Sequence, residues 1–194
     1  MKRIIFAGGG TAGHVEPALA VAQQWKKEHP ADACIFIGTK TGLETSLVPA
    51  AGFELRTINK VALARKFSPS AILLPLHLFK AVMQARSIIK GSSLLVGFGG
   101  YVSAASYLAA KSCGVPILIH EANARPGIAN RLGARFTSAL AVSTPVENGV
   151  FNQALITGMP LKRSIIEVIT TSQSDWGLVR SKANEDWALM MRCH

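Results

Sequence analysis

Glycines clustered near the amino terminus constrain the fold of this chain more than any other feature. They are Gly8, Gly9, Gly10 and Gly13. The apolar run at residues 4–6 predicts a buried strand before them, and apolar residues recur at helical spacing after Pro17. Because proline is best tolerated in a first helical turn, we expect this helix to begin between residues 13 and 16. The glycines therefore form a strand-to-helix turn that lets a ligand approach the backbone closely.

This glycine turn predicts a binding site for a phosphate or diphosphate group. Amides at the start of a helix point toward such a ligand, and the helix macrodipole favours negative charge there. A dinucleotide-binding loop also requires an acidic residue after the second strand, where this chain has Thr39 and Lys40. A P-loop requires Lys and Ser or Thr, where it has His14 and Val15. A phosphate loop that ends in a histidine remains, and a tight turn without a ligand is the alternative.

Composition narrows the class of protein. The net charge of +10 over 194 residues favours a polyanionic partner. Nucleic acid is disfavoured because the basic residues are scattered and only 7% of residues are aromatic. The 3 cysteines lack metal-ligand spacing, which favours a reduced cytosolic compartment and no metal site. A signal peptide and a membrane-spanning run are not expected.

Alternating strands and helices predict an α/β fold, a Rossmann-like parallel sheet with helices on both faces. Further strands are expected at residues 33–38, 53–58, 94–96, 115–119, 139–142 and 154–156. Further helices are expected at residues 41–49, 69–90, 102–112 and 126–131. Ligands bind outside the carboxyl ends of the strands in such sheets. His14, a second glycine turn at residues 97–103 and the segment 120–123 should therefore meet in one cleft.

Four motifs in this order resemble the MurG family: residues 8–17, 99–103, 120–123 and 157–160. Members of that family are the N-acetylglucosaminyl transferases that convert lipid I to lipid II in peptidoglycan synthesis. The similarity runs from Met1 to about Arg163. It implies the amino-terminal half of a GT-B glycosyltransferase, an inverting hexosyltransferase without a cofactor. The first domain of the family handles the lipid-linked acceptor, and the second binds UDP-N-acetylglucosamine.

The resemblance also implies the site residues. His14 is the candidate catalytic base, because an imidazole accepts a proton near neutral pH. The residues implied to bind the acceptor and its diphosphate are Gly10, Thr11, Ala12, Gly13, Gly99, Gly100, Tyr101, His120, Glu121, Asn123 and Asn130.

Each of these residues also has a purely structural interpretation. His14 can be a helix residue satisfied by hydrogen bonds, and Thr11 can cap the helix. Tyr101 can pack beside its glycine turn. The polar residues of segment 120–123 can form a buried network that only shapes the loop.

The long helix carries an apolar stripe of Ile72, Leu76, Phe79 and Met83 with basic residues such as Lys80 beside it. An amphipathic, basic-edged surface can rest on an anionic bilayer, and a core helix is the alternative. With a polyprenyl-linked acceptor, the membrane interpretation predicts a peripheral protein at the cytoplasmic face of the bacterial plasma membrane.

The chain is expected to comprise an acceptor-binding domain at residues 1–163, then the start of a linker and an irregular tail at residues 164–194. The donor domain of the family is expected to be missing, so the chain should be inactive alone. A truncated or frameshifted frame, a deliberately shortened chain and a separately encoded second half remain open.

Three other functions stay open from the sequence. One is a glycosyltransferase with another membrane-lipid acceptor, such as a diacylglycerol. Another is a non-catalytic module that binds a lipid diphosphate. A nucleotide-binding oxidoreductase is least favoured, because Thr39 and Lys40 follow the second strand.

Overall fold

The computed structural model describes residues 1–61 and 74–161. Its strands, numbered in chain order, are β1 (Arg3–Gly8), β2 (Ala33–Gly38), β3 (Glu54–Thr57), β4 (Leu94–Gly99), β5 (Ile117–Glu121), β6 (Leu140–Val142) and β7 (Leu155–Ile156). They form one sheet in the order β3-β2-β1-β4-β5-β6-β7, with parallel pairing throughout. This is the strand order of a Rossmann fold: β2 and β3 are added on one side of β1, and the strands from β4 onward are added on its other side. The predicted parallel sheet is confirmed.

The helices of the described residues are α1 (Ala12–Glu28), α2 (Glu44–Ala50), α3 (Leu74–Ile89), α4 (Tyr101–Cys113) and α5 (Ile128–Gly133). The start of α1 lies one residue before the expected range, because Thr11 adopts an extended conformation and ends the turn there. Pro17 consequently lies beyond the first turn of α1. Proline has no N–H, so Pro17 leaves the carbonyl of Gly13 without its helical hydrogen bond. Gly13 itself is exposed to water. The predicted start of the long helix, residues 69–73, lies outside the described residues.

Both faces of the sheet are covered, as the sequence predicts. Ile4 and Phe6 of β1 pack in a core with α1, whereas Ile5 and Ala7 pack in a second core with α3 and α4. Successive side chains of a strand point to opposite faces, so a continuous apolar run serves both cores. Trp25 is the largest fully buried side chain on the α1 side.

A register shift between β1 and β4 aligns the two glycine turns. Ala7 pairs with Gly97 but Gly8 pairs with Gly99, so Phe98 is an extra residue in β4. Such a bulge locally changes the direction of a strand. The carboxyl ends of β1 and β4, which carry the two turns, therefore lie side by side at the centre of the sheet.

None of the helices within residues 1–61 and 74–161 has the length and hydropathy needed to cross a bilayer.

Candidate functional site

The two predicted glycine turns contact one another directly. A Cβ on Gly100 would lie 2.7 Å from the carbonyl oxygen of Gly9, and Gly100 has a φ of +83°. The hydroxyl of Ser103 lies 2.8 Å from the carbonyl oxygen of Ala7 and 2.7 Å from that of Gly99. Only glycine permits both this approach and this backbone conformation without strain. The prediction that the turns meet at one edge of the sheet is confirmed.

His14 lies in the first turn of α1, with its ring against the second glycine turn. A Cβ on Gly99 would be 3.1 Å from Nε2, and one on Gly100 would be 3.4 Å from Nδ1. The Thr11 hydroxyl oxygen lies 3.0 Å from the same Nδ1. Thr11 occupies the N-cap position of α1, as one interpretation predicted, but its side chain makes no capping bond to the helix backbone. The half-buried imidazole of His14 is therefore held between the two turns.

The first turn of α1 presents backbone amides without a negative partner of its own. The exposed Ala12 and Gly13 have no intrahelical acceptor, because the first N–H groups of a helix never do. This turn contains no acidic residue. This arrangement is the one from which the sequence analysis predicted anion binding, and binding itself stays a prediction.

A buried carboxylate of Glu44 lies behind the first glycine turn, and the sequence interpretation did not include it. Its Oε2 accepts a 3.1 Å hydrogen bond from the N–H of Gly10, and its Oε1 accepts bonds of 2.9 Å and 3.0 Å from the N–H and hydroxyl of Thr39. Burial alone would raise the pKa of Glu44, but hydrogen bonds from its own backbone, from Gly10 and from Thr39 outweigh burial and hold the pKa below its usual value. The N–H of Gly10 is therefore directed at an ionised carboxylate of the protein itself.

Tyr101, the first residue of α4, connects this carboxylate to the second turn. Its hydroxyl lies 3.2 Å from that of Thr39, and a Cβ on Gly10 would be 3.1 Å from its ring. The ammonium of Lys60 lies 5.5 Å from the ring centre, within the range of a cation–π contact. Tyr101 thus packs beside a glycine turn, as its structural interpretation proposed, while its ring holds a cation beside the site.

The polar residues after β5 form one satisfied network. The carboxylate of Glu121 accepts hydrogen bonds of 2.9 Å and 2.8 Å from the N–H and side chain of Asn123, and one of 2.8 Å from the N–H of Gly127. The side-chain amide of Asn130 donates to Glu121 at 3.0 Å and to the carbonyl of His120 at 3.1 Å. These hydrogen bonds connect buried Glu121 and Asn130 to the exposed loop between them and restrict its movement.

Asn130 connects the hydrogen-bond network of Glu121 to the surroundings of His14, the candidate base. Its amide nitrogen would be 3.3 Å from a Cβ on Gly99, the position that also approaches Nε2 of His14. The side chains of Asn130 and His14 therefore converge on the same glycine from different elements. Asn123 is exposed, whereas Glu121 is buried. Direct contact of these residues with an acceptor stays a prediction.

Tyr107 of α4 orients Asn130, and sequence reasoning also missed it. Its hydroxyl donates a 2.7 Å hydrogen bond to the amide oxygen of Asn130. Burial raises the pKa of Tyr107, so the phenol stays protonated and remains a donor. Its ring lies where a Cβ on Gly97 or Gly133 would overlap it. In the sequence, Gly97 and Gly133 could have indicated this contact, since a glycine leaves room for a large neighbouring side chain.

The imidazole of His120 is fully buried at the carboxyl end of β5. Its Nε2 lies 3.2 Å from the carbonyl oxygen of Gly158 and 3.2 Å from the hydroxyl of Ser143. Burial lowers the pKa of His120 to about 4, so the ring is neutral at physiological pH. His120 therefore ties the segment after β7 to the sheet, close to the network of Asn130.

The apolar stripe of α3 lies on the outside of the domain. Phe79 is 62% exposed, while Leu76 and Met83 are each 48% exposed. The opposite side of α3 is buried and includes Ala81 and Ala85. Lys80 is exposed beside the stripe. Ile72, the remaining predicted member of this surface, lies outside the described residues.

Within residues 1–61 and 74–161, no three His, Cys, Asp or Glu residues are grouped as ligands for an ion.

Comparison with known proteins assigns the family. Residues 4–142 match the glycosyltransferase family 28 N-terminal domain. The chain belongs to this family. Family 28 membership places the glycine turns and the residues after β5 in a glycosyltransferase domain, in agreement with the resemblance found in the sequence.

Two relatives from the genus Streptomyces illustrate the similarity. The chain is 48% identical over 164 residues to the UDP-N-acetylglucosamine--N-acetylmuramyl-(pentapeptide) pyrophosphoryl-undecaprenol N-acetylglucosamine transferase of Streptomyces avermitilis, covering 84% of this chain and 45% of the relative. It is 47% identical over 164 residues to the protein of the same name from Streptomyces coelicolor, covering 84% and 44%. The family 28 chain thus spans slightly less than half the length of these relatives.

A solved structure supports the same assignment. The crystal structure of MurG from Acinetobacter baumannii matches with a TM-score of 0.69 and 30% identity, covering 85% of this chain and 47% of that one. The expected Rossmann-like domain of a GT-B glycosyltransferase is confirmed, and so is the resemblance to the MurG family.

Proposed function

We propose that this chain is the acceptor-binding half of an inverting glycosyltransferase that transfers N-acetylglucosamine from UDP-N-acetylglucosamine to lipid I, giving lipid II. The similarity to relatives that bear this name carries the proposal, and their 48% and 47% identity spans 84% of the chain. The arrangement of His14 between two glycine turns supplies a chemical reason for it. In this proposal residues 1–163 form the acceptor domain.

The acceptor diphosphate binds at the edge where α1 and α4 begin. The first-turn amides of Ala12 and Gly13 and the second turn at Gly99 and Gly100 donate to its oxygens or let it approach. Thr11 lies at the same edge. Gly10 lets the diphosphate approach the backbone closely, but its N–H does not bind the ligand because it donates to Glu44.

His14 acts as the general base. The acceptor sugar hydroxyl attacks the anomeric carbon of the donor, and its oxygen forms the new bond as the bond to the leaving UDP breaks. Nε2 of His14 takes the proton of that hydroxyl. The side-chain amide of Asn130, whose N–H groups donate to His120 and Glu121, approaches the same point of Gly99 as Nε2 and supports the turn there. Tyr101, His120, Glu121 and Asn123 complete the proposed acceptor site or support it.

The α3 stripe rests on the anionic surface of the membrane that holds the lipid acceptor. Phe79 and Leu76 are exposed apolar side chains, and Lys80 places a positive charge beside them. Ile72 belongs to the same proposed surface. This contact would place the protein peripherally at the cytoplasmic face of the bacterial plasma membrane.

Transfer requires a second binding surface for UDP-N-acetylglucosamine. The leaving diphosphate must be held where charge develops, and the anomeric carbon must be placed against the attacking hydroxyl. We assign both tasks to a donor domain like the part of the relatives that this chain does not span. The 194-residue chain alone is therefore expected to bind lipid I without transferring sugar.

Reconstitution tests the proposal. The purified chain is incubated with labelled UDP-N-acetylglucosamine and lipid I, with and without the separately produced carboxyl-terminal half of the Streptomyces avermitilis relative. We expect no labelled lipid II from the chain alone and recovery when the donor half is added. Multiple turnovers by the chain alone would overturn the half-enzyme proposal.

Parallel binding measurements separate the remaining alternatives. Binding of lipid I without recovery of transfer would favour a non-catalytic lipid-diphosphate module. Transfer to a diacylglycerol in preference to lipid I would assign another acceptor. Vesicles that contain each lipid, matched in charge and size, provide the control for membrane attachment alone.

A further inference from the structure

Glu44 occupies an unusual place for a charged side chain. It begins α2, its side chain is fully buried, and three hydrogen bonds from Gly10 and Thr39 hold its carboxylate. Buried carboxylates are costly unless their oxygens are satisfied. The first glycine turn, where we propose that the acceptor diphosphate binds, therefore already holds an anion of the protein itself, the carboxylate of Glu44.

Glycines on two loops make the room for this carboxylate. A Cβ on Gly9 would come within 2.9 Å of Oε1 of Glu44, and one on Gly38 or Gly42 would overlap the side chain. The end of β2 and the loop before α2 thus enclose Glu44 together with the first glycine turn. Such close enclosure permits little movement of the carboxylate.

This contact fixes the orientation of one peptide group. The N–H of Gly10 points to Glu44, and the N–H and C=O of a trans peptide point in opposite directions. The oxygen of Gly9 is accordingly directed at the second turn, where a Cβ on Gly100 would lie 2.7 Å from it. Gly10 has a φ of +89°, a conformation from which glycine can flip the preceding peptide at little steric cost.

We propose that Glu44 is a positioning residue that locks the Gly9–Gly10 peptide with its N–H turned inward, so that anions at this turn bind the amides of Ala12 and Gly13 instead. The second half of this statement rests on the proposed diphosphate site. A carboxylate that binds the Gly10 amide both occupies the donor and repels a second anion from it. The first turn of α1, without an acidic residue, remains open to the ligand.

The lock extends to the second glycine turn through two hydroxyls. Thr39 joins the carboxylate of Glu44 to the hydroxyl of Tyr101, and the ring of Tyr101 covers Gly10. Loss of the carboxylate would therefore free the Gly9–Gly10 peptide and remove the partner that orients Thr39 toward Tyr101.

The substitution Glu44→Gln separates charge from shape. Glutamine has the same length but only one acceptor oxygen, which we expect to face the two donors of Thr39, so that the N–H of Gly10 faces an amide nitrogen that cannot accept. Glu54→Gln is the matched control, because Glu54 is an exposed glutamate paired with Arg56 away from the turn. The readouts are amide hydrogen exchange and ¹⁵N–¹H spectra of the full chain, titrated with inorganic pyrophosphate.

In the unsubstituted chain we expect slow exchange at Gly10, and pyrophosphate should shift the resonances of Ala12 and Gly13 but not that of Gly10. In Glu44→Gln, exchange at Gly10 should accelerate roughly tenfold or more, since hydrogen bonds to charged groups are the stronger class. Gly10 should then join the resonances that pyrophosphate shifts. Glu54→Gln should behave as the unsubstituted chain does.

Rapid exchange at Gly10 in the unsubstituted chain, or a pyrophosphate shift there equal to those of Ala12 and Gly13, would overturn the proposal even if Glu44→Gln fails to fold. Unchanged exchange at Gly10 in a folded Glu44→Gln would do so as well. If pyrophosphate shifts no resonance in any variant, the proposed diphosphate site fails instead. Exchange at Gly10 would still decide whether Glu44 locks the peptide.

Discussion

The hydroxyl oxygen of Thr11 lies 3.0 Å from Nδ1 of His14. When the ring donates its Nδ1 hydrogen to this oxygen, Nε2 keeps its lone pair and can accept a proton. Nε2 is the nitrogen next to Gly99 and the amide of Asn130. The contact with Thr11 therefore orients the imidazole for the role proposed for it.

Replacement of His14 by alanine should abolish transfer in the reconstituted enzyme without unfolding the domain. Loss of a general base costs on the order of 10²–10⁴-fold in kcat. The ring is half-buried and its side chain contacts the exposed hydroxyl of Thr11, so the thermal unfolding midpoint should change little. Initial rates and unfolding curves of both proteins are the measurement, with His29→Ala as a histidine control remote in sequence from the turns. Undiminished turnover by His14→Ala would remove His14 from the mechanism.

Replacement of Tyr107 by phenylalanine should destabilise the domain and loosen Asn130. The change removes the 2.7 Å hydrogen bond and leaves the buried amide oxygen of Asn130 without that donor. Such a loss costs about 1–3 kcal/mol. Urea unfolding at constant m-value measures it, and Tyr101→Phe serves as the control because its hydroxyl is only partly buried. Equal stability of Tyr107→Phe and the unsubstituted chain would contradict the assigned role.

Stability should fall as the pH is lowered from neutrality, because of His120. Burial lowers its pKa from 6.5 to about 4, so the unfolded chain gains a proton in this interval while the folded chain does not. At about 1.4 kcal/mol per unit, the loss amounts to about 3 kcal/mol once the pH reaches the folded value. Urea unfolding at several pH values tests this, and His120→Gln should flatten the dependence.

The range between pH 7 and 5 is the cleanest for that measurement. The pKa of Glu44 is held below its ordinary value of 4.5, so the stability contributed by its ionised form is present above that value and is lost only at lower pH. An identical slope in His120→Gln and the unsubstituted chain would show that another group is responsible.

Membrane attachment should depend on the exposed stripe of α3. Phe79→Glu should weaken binding to anionic vesicles, because it replaces a 62% exposed apolar ring by a negative charge. Val150→Glu is the matched control, since Val150 is an exposed apolar residue outside the stripe. Vesicle co-sedimentation at low and high salt measures the effect, and binding should decrease as salt screens Lys80 and its basic neighbours. Equal binding of the two folded variants would exclude the stripe as the contact.

Most of the fold follows from local sequence patterns. The bounds of β2, Ala33–Gly38, agree with the prediction, because an apolar run between polar segments marks a buried strand. Gly114 ends α4 in the left-handed conformation, with a φ of +67°, as a glycine after a helical pattern predicts. Meeting of the glycine turns also follows, because the carboxyl ends of parallel strands share one edge.

The side chains that hold the site together could not be predicted in the same way. Glu44 contacts Gly10 across 34 positions, and Tyr107 contacts Asn130 across 23. No periodicity in the sequence encodes such contacts, since they depend on how α2 and α4 pack on the sheet. Full burial of His120 likewise depends on the chain after β7, which folds back to within 3.2 Å of its ring.

The enclosure of Tyr107 by Gly97 and Gly133 limits the order in which these positions can change. Either glycine can gain a side chain only after the tyrosine has become smaller, because a Cβ at either position overlaps the ring. A smaller residue at position 107 deprives Asn130 of its donor, so that first step is itself unfavourable. The effects of substitutions at these positions should therefore be strongly non-additive. Directed evolution toward a different acceptor would have to change several of them together, or leave this group intact and vary the exposed residues around it.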